Sequence, residues 1–105
     1  MPRKAHWEDP SVRRIYNEAD RDEIRKLLES HQLKHLDVSF RGNHLVISLK
    51  EDREPRVRFT RIDEEEYQLG IARHTGAWDM TPYTGTIPEL FNIVTGQFGW
   101  LLTDV

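Results

Sequence analysis

Cysteine is absent from this chain of 105 residues, which excludes disulfides, thiolate nucleophiles and cysteine-based zinc sites. The absence fits a reducing compartment. Long apolar runs are missing as well. A membrane helix needs about 20 apolar residues, and a secretory signal needs a shorter run behind a basic start. Met1 to Trp7 are basic, but Glu8, Asp9 and Pro10 follow them. The expectation is a soluble, cytoplasmic protein that makes no membrane contact.

Glycine is scarce and scattered, with six residues and neither a GxGxxG run nor a P-loop. The four serines, Ser11, Ser30, Ser39 and Ser48, lack the glycine context of a nucleophile elbow. No cofactor is implied. Lys and Arg disappear after Arg73. All 15 of them lie at or before that residue, beside 15 of the 18 acids, so the net charge of −3 belongs to the last third. An acidic balance argues against a dedicated nucleic-acid binder.

What is present reads as one α+β domain over residues 1–105, with 1–10 as a loose N-terminal arm. Ile24, Leu27, Leu28 and His31 recur at helical spacing behind Asp20 and Glu23, which have the form of a capping box. Val12, Ile15, Tyr16 and Ala19 extend the pattern upstream, so a helix is predicted from about 12 to 32. The period then falls to two. Leu36, Val38 and Phe40 form one alternating run and Leu45, Ile47 and Leu49 a second, with Gly42-Asn43 as the hairpin turn between them.

Charged turns at Glu51–Pro55 and Asp63–Glu66 bracket a third strand through Val57 and Phe59, and a fourth carries Tyr67, Leu69 and Ile71. A short fifth strand is expected at 77–81. Short connections imply an antiparallel meander of four or five strands. Thr86-Ile87-Pro88-Glu89 is a second capping box, opening a helix with the stripe Ile87, Leu90, Phe91 and Val94 that Gly96 ends. Both helices are expected on the same sheet face, followed by a short apolar tail.

Three surfaces are candidates for function. Arg73, His74, Trp78 and Tyr83 surround the Thr75-Gly76 turn and could line a small-ligand pocket or an active site. Arg56 and Arg58 alternate with core residues, which makes the outer sheet face locally basic and able to meet phosphates. Stacking on bases would require exposed aromatics, but Phe40, Phe59 and Tyr67 share the inward parity. Phe98, Trp100 and Leu101 belong to an aromatic, apolar C-terminus suited to an interface.

His31 and His35 are four apart but lack a partner glutamate, and the Asp63–Glu66 run lacks the alternation of a calcium loop. Neither implies a metal site. The leading reading is a non-enzymatic interaction or regulatory module, expected as a homodimer. It would use the C-terminal aromatics or an exposed sheet edge, as an acidic protein that masks a basic partner could. The alternatives are the pocket and weak nucleic-acid binding.

Overall fold

The computed structural model describes residues 8–73 and 75–103. Helix α1 (Pro10–Ser30) starts where Asp9 accepts a hydrogen bond from the Ser11 amide at 3.0 Å, with proline in the first turn. The predicted start signal at Asp20 thus lies inside the helix. Asn17, Ile24 and Leu28 are its buried residues. The helix ends at His31, and Gln32 takes a left-handed φ of 59°.

Five strands follow: β1 (Leu36–Arg41), β2 (His44–Leu49), β3 (Pro55–Asp63), β4 (Glu66–Ala72) and β5 (Trp78–Gly85). They form an antiparallel sheet in chain order. Arg41 pairs with His44 across a two-residue turn in which Gly42 has φ 59°, a left-handed conformation that glycine adopts without steric cost. β5 is longer than predicted and runs through Pro82, which an edge strand tolerates because its free side needs no N–H donor.

Helix α2 (Ile87–Gln97) has the predicted capping box, with Thr86 and Glu89 bonding each other's backbone amides. Gly96 lies within the last turn instead of ending the helix. The short apolar tail carries a 3-10 turn, Gly99–Leu102.

Inward residues of β1 to β4 (Val38, Ile47, Phe59 and Leu69 among them) join Ile24 and Leu28 of α1, the α2 stripe, Leu101 and Leu102 in one buried cluster. Helix α1 lies against β1 and β2, and α2 against β4 and β5. Among the described residues, both helices bury their apolar stripes in this one cluster and no helix follows on the other face of the sheet.

Candidate functional site

β3 alternates Val57, Phe59 and Arg61 toward the core. The third of these is a cation, only 2% exposed. Burying an unpaired guanidinium is prohibitive, so the fold must bring it a partner. That partner is Asp20, one helical turn before Ile24 on the inward side of α1, whose carboxylate pairs with Arg61 Nη2. The Tyr67 hydroxyl, on the neighbouring strand, donates to the same Asp20 oxygen. Arg61 Nη1 donates to the Glu64 carbonyl, and the guanidinium carbon lies 5.2 Å from the Tyr16 ring centroid and 4.9 Å from that of Tyr67. Burial and the bond to Asp20 hold the Tyr67 hydroxyl far above its ordinary value, so it stays protonated.

A recess of about 400 Å³ opens beside this latch, between α1, the β3–β4 turn and the start of α2. Its walls include Tyr16, Tyr67, Ile87 and Pro88, and its polar groups include Asp20, Glu23, Glu64 and Glu65. Asp63 and Glu66 continue the acidic rim toward Thr86. Burial, then the charges of Asp20 and Glu65, push the Glu23 carboxyl above its usual range. The recess thus combines aromatic walls with crowded carboxylates, and Arg61, the cation buried beside them, is already committed to Asp20.

That crowding has a sign that can be measured. A carboxyl raised in the folded state binds its proton more tightly there. Its contribution is complete below the unfolded value and is lost as pH rises through the folded one. Glu23→Gln is therefore expected to stabilise the fold modestly at pH 7, with the gain vanishing below about pH 4. Urea denaturation at the two pH values checks this, and an equal effect at both would remove the explanation by burial and like charge.

Trp78 and Tyr83 fall on opposite faces of β5. Trp78 lies on the outer face, where the Arg58 guanidinium sits 4.6 Å from its ring and Arg58 Nη2 is 3.3 Å from Met80 Sδ. Gly70 leaves room for this group, since a Cβ there would be 3.2 Å from the same sulfur. Tyr83 turns inward, packs edge-on against Phe98 and donates to Gln97 Oε1 at 2.8 Å. Arg73 pairs with Asp79 at 2.6 Å, and His74 lies outside the described residues.

Arg56 and Arg58 do share the outer face, with Arg56 Nη2 3.7 Å from Glu54. Nearby, His44 Nδ1 meets Thr60 Oγ1 at 2.9 Å. Burial and the Arg58 charge push that imidazole below its ordinary value. In the C-terminal segment, Leu101 is a core residue at 2% exposure while Trp100 is 60% exposed. His31 and His35 make separate contacts. His31 bonds the Leu27 carbonyl and rests edge-on against Phe91, whereas His35 bonds the Leu102 carbonyl.

Asp20, Arg61 and Glu23 were not among the sequence candidates. Parity could have found Arg61, because it continues the inward series of Val57 and Phe59. Among the described residues, no group of three or more metal-ligating side chains is arranged to hold a metal ion, and no helix is long and apolar enough to cross a membrane. No family model, no curated protein and no solved structure matches this chain.

Proposed function

We propose that this protein is a non-enzymatic binding module that takes a basic side chain of a partner protein into the acidic recess between α1 and the β3–β4 turn. One observation carries the reading. Asp20, Glu23, Glu64 and Glu65 converge on a cavity walled by Tyr16 and Tyr67, and carboxylates set around aromatic rings are the surroundings that an ammonium or guanidinium requires. Arg61 shows the same preference from within the chain, lying against both tyrosine rings and bonded to Asp20. Asp20 already accepts from two donors, so it is not free to act as a general base. That favours binding over catalysis.

The reading is tested by titrating the protein with a short oligo-arginine peptide and with its citrulline counterpart, following backbone amide resonances. The arginine peptide is expected to shift the amides of Glu23, Glu64, Glu65 and Tyr67. Its affinity should fall about tenfold in Glu23→Gln/Glu65→Gln and weaken as salt rises. Equal binding of the two peptides, or shifts confined to other surfaces, would overturn it.

A further inference from the structure

The free edge of β1 combines unpaired backbone with unneutralised charge. The turn after Arg41 is two residues long, so Arg41/His44, Ser39/Val46 and Asp37/Ser48 are the pairs that exchange ladder hydrogen bonds with β2. Val38 and Phe40 fall between them, and their backbone groups point away from β2 toward the edge. The Leu36 amide is already taken by the Leu33 carbonyl, and the Val38 amide is engaged locally by the Asp37 carboxylate. Among the described residues the Val38 carbonyl and both Phe40 groups have no such partner, and they remain for a new strand.

A hollow of about 570 Å³ runs along this edge. Four cations line it, Arg21, Arg25, Lys50 and Arg53, against the single carboxylate of Asp37. Arg25 reaches across the edge to bond both Asp37 oxygens, at 3.0 and 3.4 Å, which neutralises that pair. Lys50 and Arg53 have no ion-pair partner among the described residues. Arg21 lies 5.4 Å over the Phe40 ring, with its buried Nε lacking a hydrogen-bond partner and 3.7 Å from Asp22.

The cations therefore frame the edge. Arg21 stands at its Phe40 end, and Lys50 and Arg53 stand at the Leu36 end, where β1 meets Leu49. Four residues of extended chain separate the two ends, roughly 13 Å at about 3.3 Å per residue.

We infer that β1 accepts an acidic, extended segment of a partner protein as a sixth strand, its backbone pairing with Phe40 and Val38. Carboxylates four residues apart, on the same side of that strand, meet Arg21 at one end and Lys50 with Arg53 at the other. Strand addition draws affinity from the main chain and selectivity from side chains of one parity. A second copy of β1 is disfavoured as the occupant, because it would bring the same cations face to face.

The probe is a five-residue peptide with glutamate at both ends and valine and threonine alternating between, compared with its glutamine-ended counterpart. The acidic peptide is expected to shift the Val38 and Phe40 amides and to slow exchange of the Phe40 amide proton. The glutamine peptide is expected to bind at least about tenfold more weakly, and Lys50→Gln/Arg53→Gln to lose a similar factor. Both substituted positions lie in the β2–β3 turn, outside the core, so the variant should fold normally.

Equal affinity for the two peptides, no binding at millimolar concentration, or shifts away from β1 would overturn the inference. So would self-association of the free protein through this edge, read by light scattering. The recess and the edge use different residues. Glu23→Gln/Glu65→Gln should leave acidic-peptide binding intact, so failure of either reading is distinguishable from failure of the other.

Discussion

Arg61→Leu is expected to lower the stability of the fold by about 3–5 kcal/mol, the usual cost of removing one partner from a buried ion pair. The leucine itself is well suited to a core position beside Phe59 and Leu69. The loss arises elsewhere, because the Asp20 carboxylate, its side chain only 17% exposed, is left with the Tyr67 hydroxyl as its donor among the described residues. A domain of this size has about 5–15 kcal/mol in total, so the variant should melt far below the parent.

Asp20→Asn/Arg61→Leu provides the control. With both charges gone, most of the loss should be recovered. Denaturant melts of the parent, the two single variants and the double variant complete the cycle. A loss below about 1 kcal/mol in Arg61→Leu would mean that the pair behaves as a solvated surface bridge.

The C-terminal turn supplies the second large effect, and it separates two neighbours in the chain. Leu101→Ala removes a core side chain packed with the α2 stripe, and about 2–5 kcal/mol is expected to go with it. Trp100→Ala removes a larger residue that is mostly in solvent, and a change within about 0.5 kcal/mol is expected. Thermal melts measure both. A Trp100 loss comparable with that of Leu101 would place the indole in a packed environment that the exposure of this residue contradicts.

These two sites show where the sequence was informative and where it was not. Local rules were readable where a single residue type decides the backbone. Gly42-Asn43 announced the first hairpin, and Thr86 with Glu89 announced α2, because each signal concerns hydrogen bonds made within four residues. Parity carried the core of β1 to β4 because alternate side chains of a strand face the same side.

The misreadings have a common origin in residues whose role depends on another element. Asp20 resembles a helix cap, and only the approach of β3 turns it into the counter-ion of Arg61. Trp78 and Tyr83 lie five residues apart near one turn, which suggests a shared pocket. β5 is an edge strand, however, and its inward positions are held by Thr81, whose hydroxyl donates to the Leu69 carbonyl, and by Tyr83 against Phe98. That leaves Trp78 outside with Arg58. The recess was illegible for the same reason, since Tyr16, Glu23 and Glu65 are brought together only when α1 lies down on the sheet.

The meander has a consequence for the order in which this chain assembles. Every strand pairs with its neighbour in sequence, so each hairpin can close within microseconds and without waiting for distant segments. The Asp20 latch spans 41 residues to Arg61 and 47 to Tyr67, far more chain than any turn of the sheet encloses. Closing such loops is the slow, entropically costly part of folding. Docking of α1 is therefore expected to come late, after the sheet has formed, and Arg61→Leu to accelerate unfolding far more than it slows folding.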